Sequence, residues 1–282
     1  MKTKILVTGA NGQLGQCLQS LELESDFEFT FFSSLKLDVT SKESIKKAFK
    51  PEYSFCINCA AYTAVDQAES EKEKASLINN IAVKSIALAC KENNITLIHI
   101  STDFVFNGEA KQPYNESDLP DPISVYGKTK LDGEIAIKNN LTKYFIIRTS
   151  WLYSQYGNNF LKSMLNLAIT RDRLSVVNDQ IGTPTFALDL AKVILELIKQ
   201  NNNFGIYHYS NNGAASWYDF AKAIFTKTNT NILVDSIPTS DYPTAAKRPN
   251  YSILDKSKII NTFGIKVPHW EESLDKCLKA LL

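Results

Sequence analysis

Long apolar runs and a surplus of charge of one sign are both missing from this chain of 282 residues. No apolar stretch approaches the length of about 20 residues that a membrane helix needs, so no membrane span is expected. Lysine and arginine together number 31, against 30 aspartates and glutamates. This balance gives no electrostatic reason to expect nucleic acid or an anionic membrane as a partner. We therefore expect a soluble cytoplasmic protein that acts on a small molecule.

Cysteine is scarce as well, with five residues scattered along the chain. No group of cysteines and histidines has the spacing of a zinc site, so no bound metal is expected. Cys56 and Cys59 have CxxC spacing, but they lie in the apolar run 55–61, which we interpret as a buried strand. Residues three apart on a strand point to opposite faces, so these two thiols should not meet.

Strand and helix patterns alternate through the first half of the chain. Apolar runs predict strands over 4–8, 27–32, 53–59, 96–100 and 144–148, and helical spacing covers 13–23, 41–49, 71–93 and 125–139. Strands separated by helices of this length imply an α/β fold with a doubly wound parallel sheet. Its crossovers should be right-handed.

The second half of the chain is less regular. Helical patterns cover 159–169, 186–199, 217–225 and 270–281, and a short strand is predicted over 205–209. Proline-marked loops lie between these elements. We therefore divide the chain into a main domain, 1–150, and a smaller part, 151–282, which should form a lobe over the carboxyl ends of the strands. Some segments of that part should return to the main sheet.

The glycines of the sequence GANGQLG, residues 9–15, follow the first predicted strand and open the first predicted helix. Glycine permits a tight turn and a close approach of backbone N–H groups to a pyrophosphate, whose charge the helix N-terminus favours. The spacing is GxxGxxG rather than GxGxxG. Residues 1–150 are thus predicted to be an NAD(P)-binding Rossmann domain, with 151–282 binding the substrate. The predicted cofactor-binding residues here are Gly9, Asn11, Gly12, Gln13, Leu14 and Gly15.

The second and third strand ends supply the rest of the predicted cofactor site. No carboxylate follows the second strand, where cofactors without a 2′-phosphate usually meet an acidic residue. Lys36 stands there with two serines, which favours NADPH, with NADH also accepted. Asp38 and Val39 come next and could reach the adenine, although a turn or helix cap is an equal alternative for Asp38. Small residues after the third strand should pass close under the cofactor. The residues predicted there are Ala60, Ala61 and Thr63.

Tyr126 and Lys130 are four residues apart at the start of a predicted helix, so they share one face. A free tyrosine has a pKa of about 10, and a cation beside it lowers that pKa by stabilising the phenolate. Such a pair supplies an acid or base near neutral pH, while Lys128 should face elsewhere. Thr102, just after the fourth strand, can donate to a carbonyl oxygen. YxxxK alone is an ordinary surface pair; with the glycine loop upstream it predicts a nicotinamide-dependent carbonyl reductase.

These motifs resemble the extended short-chain dehydrogenase/reductase family, and within it the reductases of dTDP-L-rhamnose synthesis. The resemblance runs nearly end to end. It implies reduction of the C4 keto group of dTDP-4-dehydro-L-rhamnose to dTDP-L-rhamnose. The stretches that carry it are 58–69, 101–106, 125–131 with Gly133 and Glu134, 148–153, 157–160, 178–185 and 248–249.

The resemblance also implies roles for individual residues. Tyr126 would protonate the C4 oxygen, Lys130 would hold Tyr126 and the cofactor ribose, and Thr102 would bond the C4 carbonyl. The remaining substrate contacts implied are Asp103 to the sugar, Trp151 to the sugar nucleotide and Arg248 near the diphosphate. Two of these have alternatives, since Trp151 could be a core residue and Arg248 could form a surface ion pair.

Three positions depart from the family pattern. Cys59 stands where alanine is usual, which should matter little. Phe104 stands where tyrosine is common, which removes one hydroxyl. Some relatives bind magnesium at a dimer contact through a glutamate on the first helix, whose place Cys17 takes here, so neither the metal nor that dimer is carried over. Folds of this kind often dimerise through exposed helices, so a homodimer stays open beside a monomer.

Three other functions compete with this one. A 4,6-dehydratase needs a second carboxylate directly after Asp103, and Phe104 stands there instead. A reductase or epimerase acting on another nucleotide sugar stays open. A non-catalytic regulatory subunit, like that of methionine adenosyltransferase, resembles the same branch, but it would not need Thr102, Tyr126 and Lys130.

Overall fold

The computed structural model describes residues 2–281, so residues 1 and 282 of the division made above lie outside it. Twelve strands occur among the described residues. In chain order they are β1 (Thr3–Thr8), β2 (Phe27–Phe32), β3 (Phe55–Asn58), β4 (Thr96–Thr102), β5 (Tyr144–Thr149), β6 (Leu152–Tyr153), β7 (Arg173–Val177), β8 (Ile181–Gly182), β9 (Thr185–Phe186), β10 (Gly205–His208), β11 (Ala215–Ser216) and β12 (Leu233–Ile237).

Eleven α-helices occur in the same range, with short 3₁₀ turns at Glu22–Glu24, Asp103–Val105 and Thr239–Asp241. In chain order the helices are α1 (Gln13–Ser20), α2 (Lys42–Ala48), α3 (Val65–Ala68), α4 (Lys72–Ser76), α5 (Ala82–Glu92), α6 (Val125–Asn140), α7 (Phe160–Ala168), α8 (Ala187–Gln200), α9 (Trp217–Lys227), α10 (Ser257–Phe263) and α11 (Trp270–Leu281).

Six parallel strands form the central sheet in the order β10-β5-β4-β3-β1-β2. Alternate residues of each strand enter different cores, as the period of two requires. Ile5 and Val7 pack with α1 and α8 on one face, whereas Leu6 packs with α2, α5 and α6 on the other. Helices therefore cover both faces, and the predicted doubly wound fold is confirmed. The strand order reverses between β1 and β3, where such folds bind ligands beyond the carboxyl ends.

One predicted helix differs from expectation. The single helix predicted over 71–93 is α4 and α5 joined by a π-helical turn, Leu77–Ile81. The wider turn brings Asn79 inward, where its amide bonds both the N–H and the carbonyl of Tyr62 at 2.9 and 3.1 Å. Leu77 and Ile81 are turned outward and are 38% and 51% exposed. A π turn inside an α-helix frequently marks a functional site.

The second half adds one strand to the central sheet and builds a separate core. β10 pairs with β5 at the sheet edge. The parallel pair β7–β12 and the helix α10 have no counterpart among the predicted elements. A third apolar core forms between α7, α9, α11 and the β7–β12 pair, around Phe220 and Trp270. This lobe lies beside the carboxyl ends of β1 and β5.

The five cysteines are all free thiols. Cys56 and Cys59 pack into cores on opposite faces of the sheet, so the prediction that they do not meet is confirmed. Cys17, on α1, is fully buried in one of these cores. Among residues 2–281 no helix combines the length and the apolar character needed to cross a membrane.

Candidate active site

A cavity of about 690 Å³ opens at the carboxyl ends of β1, β3, β4 and β5, the edge that the strand order selects. One wall is the glycine loop, the opposite wall is α6, and the second half of the chain closes the far end. Most of the residues predicted for the cofactor and all three predicted for the reaction line this cavity.

The glycine loop brings the N-terminus of α1 to this cavity. Gly9 has a φ of +64°, and a Cβ there would lie 2.7 Å from the Ala60 nitrogen, so Gly9 and Ala60 pack against each other behind the cavity wall. Gly12 occupies the N-cap of α1 and offers no capping side chain. The first-turn N–H groups therefore lack a side-chain acceptor and are free to bind an anion.

The side chains inside the glycine loop turn away from this N-terminus. Leu14 is buried in the core. Gln13 accepts hydrogen bonds from the Ser154 hydroxyl (3.0 Å) and the Asn159 amide (2.9 Å). Gln13 thus ties the loop to the second half of the chain, and what it offers a dinucleotide is its backbone N–H.

The loop after β2 places Asp38 outside the cavity. Asp38 is exposed and accepts hydrogen bonds from the hydroxyl (2.6 Å) and the N–H (2.9 Å) of Thr40, which lower the pKa of its carboxyl. This is the turn given above as the alternative to an adenine contact. Val39 is half-buried against the core. After β3, Ala61 and Thr63 line the cavity, whereas Ala60 does not.

Thr102, Tyr126 and Lys130 all line the cavity, so the structure brings the predicted reacting groups together. Thr102 ends β4, and Tyr126 lies in the first turn of α6. Lys130 is only 2% exposed although it carries an amine, whereas Lys128 is exposed, as predicted.

The start of α6 is fixed by two local features. Ser124 caps the helix by accepting a hydrogen bond from the Gly127 N–H at 3.1 Å. Gly127 also lets α6 pack closely on the loop after β4, because a Cβ there would overlap the carbonyl oxygen of Phe104. The ring of Phe104 in turn packs edge-on against Tyr126, with 5.6 Å between ring centroids.

The acidity of Tyr126 differs from expectation. Burial raises its pKa to about 12, and the negative charge of Asp103 acts in the same direction. The nitrogen of Lys130 donates to the Ile100 carbonyl at 2.6 Å and lies 3.3 Å from His99 Nε2. The predicted lowering of the Tyr126 pKa by Lys130 is wrong for this structure, because burial dominates and the Lys130 nitrogen is bonded to β4.

Asp103 is the acidic group of the site. It is 2% exposed, and burial raises the pKa of its carboxyl to about 6, against which its hydrogen bonds act. One carboxyl oxygen accepts from the Thr102 hydroxyl at 3.0 Å. The other makes no hydrogen bond within 3.5 Å among the described residues, although the Ser252 hydroxyl is near enough to lower the pKa of the carboxyl. Buried polar atoms are rarely left unpaired, so this oxygen is suited to a ligand.

Trp151 lies at the cavity wall rather than in the core, with the uncommon φ of +46°. Its ring stacks on Trp217 at 3.5 Å with an interplanar angle of 7°. The indole of Trp151 fits against Gly182, where a Cβ would lie 2.6 Å away. Trp217, which donates to Gln180 at 3.2 Å, was not identified from the sequence.

Arg248 also lines the cavity, and it forms a bidentate ion pair with Asp66 at 2.6 and 3.0 Å. Asp66 lies on α3, 182 residues before Arg248 in the sequence. It also accepts a hydrogen bond from the Ala246 N–H at 3.1 Å. The pair therefore fastens the loop around Arg248 to the cofactor half of the chain. Arg248 thus forms the ion pair that was given above as its alternative role, and it lines the cavity at the same time.

Several further residues line the cavity without having been identified from the sequence. Most of them follow β5 or directly precede α7. The family stretches 58–69, 148–153 and 157–160 were the available signal for seven of them, although no role had been assigned to these residues. These residues are Val65, Ile100, Thr149, Ser150, Leu152, Gly157, Asn158, Asn159 and Trp217. Within 2–281 no group of three His, Cys, Asp or Glu side chains is arranged to hold a metal.

Comparison with known proteins places the whole chain in one group. Residues 3–282 match the model of the RmlD substrate binding domain. The dTDP-4-dehydrorhamnose reductase of Aggregatibacter actinomycetemcomitans is 43% identical over 286 residues, which cover 96% of this chain and 97% of that protein. The dTDP-4-keto-6-deoxy-D-glucose reductase of Streptomyces niveus is 33% identical, covering 100% of this chain and 98% of its own length.

A solved structure agrees with the sequence relatives. The dTDP-4-dehydrorhamnose reductase of Bacillus anthracis, crystallised in complex with NADP, superposes with a TM-score of 0.96 at 40% identity, covering 99% of this chain and all of that one. The resemblance drawn from the sequence motifs is thereby confirmed. The chain belongs to the dTDP-4-dehydrorhamnose reductase family of oxidoreductases.

Proposed function

We propose that the protein reduces the C4 keto group of dTDP-4-dehydro-L-rhamnose to dTDP-L-rhamnose, using NADPH and accepting NADH as well. One observation carries the proposal: Thr102, Tyr126 and Lys130 line the same cavity as the uncapped N-terminus of α1. A carbonyl carbon in this cavity would have donors for its oxygen on one side and space for a nicotinamide on the other.

The residues of the glycine loop fit a dinucleotide. The first-turn N–H groups of α1, beginning beside Gly12, would bind the pyrophosphate, and Ala61 and Thr63 would line the path toward the nicotinamide. Lys36, exposed after β2, would bind the 2′-phosphate of NADPH. When bound, the nicotinamide supplies the hydride. Contact of Asp38 and Val39 with the adenine stays a prediction.

The reacting groups have distinct tasks in this proposal. The Thr102 hydroxyl donates to the C4 oxygen and holds the carbonyl in place. Tyr126 gives its phenolic proton to that oxygen as hydride arrives at C4. The raised pKa of Tyr126 keeps the phenol protonated at neutral pH, which suits a proton donor. Lys130 holds the cofactor ribose beside Tyr126.

The sugar nucleotide would lie along the opposite side of the cavity. The unpartnered carboxyl oxygen of Asp103 would accept from a sugar hydroxyl. Trp151 would provide a flat apolar surface for the sugar nucleotide, and Arg248 would bind the diphosphate. Because Asp66 already holds the Arg248 guanidinium in a fixed orientation, little side-chain freedom would be lost on binding.

Two other readings are separable by experiment. The Streptomyces relative reduces, by its name, a different 4-keto sugar, so the 4-keto-6-deoxy-D-glucose nucleotide is the second candidate substrate. The complete set of reacting groups disfavours a non-catalytic regulatory subunit.

We also propose a cytoplasmic location, which the five free thiols support. A homodimer stays a prediction, to be measured by light scattering.

The test is loss of NADPH absorbance on adding dTDP-4-dehydro-L-rhamnose, with NADH and the D-glucose analogue in parallel. We expect rapid oxidation with the rhamnose precursor and formation of dTDP-L-rhamnose. Faster turnover of the D-glucose analogue would transfer the assignment to that sugar. Oxidation with neither sugar, from protein that binds NADPH, would overturn the enzyme assignment.

Two lysines of α6 give a matched control for this assay. Lys130→Met should lower kcat by about 100-fold, because the amine that would hold the cofactor ribose beside Tyr126 is lost. Lys128→Met, two residues earlier on the exposed face, should leave kcat unchanged. Equal effects of the two substitutions would remove Lys130 from the proposal.

A further inference from the structure

A row of buried polar side chains crosses the sheet behind Lys130. Thr8, Asn58 and His99 are neighbours in register on β1, β3 and β4. None of the three is more than 1% exposed. Buried polar groups destabilise a core unless they are hydrogen-bonded, and these three bond one another in sequence. The row ends where His99 Nε2 lies 3.3 Å from the Lys130 nitrogen.

The lengths of these contacts give the direction of the hydrogen bonds. Thr8 Oγ1 lies 2.6 Å from Asn58 Oδ1, a length typical of an O–H donor and short for N–H, so the hydroxyl donates to the amide oxygen. The amide nitrogen of Asn58 then faces His99 Nδ1 at 3.0 Å. An amide nitrogen donates and does not accept, so His99 Nδ1 is the acceptor.

The state of the His99 ring follows from this direction. Burial holds the pKa of His99 well below its usual range, so the ring is neutral. With Nδ1 accepting from Asn58, its single proton must be on Nε2. That N–H points toward the nitrogen of Lys130. An ammonium has only donors, whereas a neutral amine offers a lone pair that can accept.

We propose that Asn58 and His99 are positioning residues that fix the nitrogen of Lys130 beside the reacting groups and favour its neutral amine over its ammonium. The inference rests on the proposed function only for its catalytic consequence. Lys130 would exchange its proton near physiological pH, which suits a group that works beside a proton donor.

The other ionisable groups around Lys130 are few. Burial lowers the pKa of Lys130 to about 8, while the charge of Glu134, one turn further along α6, and the Cys59 thiol at the end of β3 act to raise it. Glu134 is held by Arg148 in a buried bidentate pair at 2.7 and 2.9 Å, so its charge is already matched. Tyr126, one turn earlier on α6, is neutral at this pH. None of these groups lowers the pKa of Lys130 further, so the Nε2–H of His99, which faces the Lys130 nitrogen, is the contact left to disfavour the ammonium.

Asn58→Asp tests the proposal with almost no change of shape. The carboxylate would accept from both the Thr8 hydroxyl and His99 Nδ1–H, which moves the ring proton from Nε2 to Nδ1. His99 Nε2 would then accept from the Lys130 ammonium. Nitrogen-15 NMR of the histidines should report the Nε2–H form in the wild type and the Nδ1–H form in the variant.

The charge of Lys130 gives the second readout. The protein would be labelled with carbon-13 at the lysine Cε, and the Lys130 signal would be assigned by its loss in Lys130→Met. The pH titration midpoint of that signal in the wild type should lie well below the usual lysine pKa of about 10.4. Asn58→Asp should raise it by at least about one pH unit, because a carboxylate now faces the relay. The alkaline limb of kcat should move upward by the same amount, with the KM for the sugar unchanged.

His208 provides the matched control. It is the other fully buried histidine, and its Nδ1 lies 3.0 Å from the Tyr114 carbonyl, away from Lys130. His208→Gln should leave the form of His99 and the midpoint of Lys130 unchanged. A wild-type His99 with its proton on Nδ1, or a Lys130 midpoint near 10.4, would overturn the proposal. Neither reading needs substrate, so both are independent of the proposed reaction, and the wild-type spectrum decides even if Asn58→Asp does not fold.

Discussion

The two ends of the cavity are built in different ways. The proposed dinucleotide end is one contiguous segment, residues 9–15, and it would act through backbone N–H groups and the absence of side chains. The proposed sugar end draws its side chains from three separate elements and a loop: Thr102 of β4, Tyr126 of α6, Trp217 of α9 and Arg248. A methyl group added to the glycine loop should therefore disturb the first end. A substitution at the second end should remove the task of one side chain and leave the others in place.

Tyr126→Phe should have the largest effect and should act at the sugar end alone. Loss of the phenolic proton should lower kcat by about 10³-fold, within the usual range for removal of a general acid. The affinity for NADPH, measured by fluorescence titration, should be unchanged. Tyr144→Phe, at the opposite end of β5, is the control and should keep full activity. Near-normal turnover of Tyr126→Phe would show that another group gives the proton.

Gly15→Ala and Gly12→Ala should separate two roles of the dinucleotide end. A Cβ at Gly15 would lie 2.6 Å from the carbonyl oxygens of Gly9 and Ala10, so Gly15→Ala should destabilise the fold by about 3 kcal/mol. A Cβ at Gly12 has only the Gly9 oxygen near it, at 3.2 Å. Gly12→Ala should therefore weaken NADPH binding while the Tm changes little. Equal Tm values for the two variants would contradict this division.

Asp103→Asn should change how the free energy of unfolding depends on pH and should leave the dinucleotide end unaffected. The carboxyl pKa rises from 3.8 to about 6 on folding, so the native state binds this proton more tightly than the unfolded state. The resulting stabilisation is complete below pH 4 and is lost as pH rises through about 6, a change of about 3 kcal/mol. Denaturant unfolding between pH 4 and 7 should show this slope in the wild type and a flatter profile in the variant. Parallel profiles would remove Asp103 as its source.

Trp217→Ala should have the smallest of these effects. It removes the ring stacked on Trp151 and leaves the reacting groups in place. The KM for the sugar nucleotide should rise by about tenfold, which is about 1.4 kcal/mol, while kcat and NADPH affinity stay within twofold. A fall in kcat without a change in KM would place Trp217 at the reacting end instead.

The same contrast explains what the sequence could predict. The alternating apolar runs that predict the central sheet are local patterns. The glycine loop and YxxxK are local as well, so α1 and the first turn of α6 also follow from the spacing of residues in the sequence. Trp217 reaches the cavity, and Asp66 reaches Arg248, only through tertiary packing, which no spacing in the sequence shows. The π turn at 77–81 depends on a buried amide, that of Asn79, which helical periodicity does not show. The acidity of Tyr126 depends on its burial, which the spacing of Tyr126 and Lys130 does not show.

The most direct test of the account is the fate of the hydride. The protein would be incubated with NADPH deuterated at nicotinamide C4, on the face that transfers, and with dTDP-4-dehydro-L-rhamnose, and the product would be examined by NMR. The account predicts dTDP-L-rhamnose with one deuterium at C4 of the sugar, and no such product from Tyr126→Phe on the same timescale. Product without deuterium at C4, or no product from protein that binds both ligands, would contradict it.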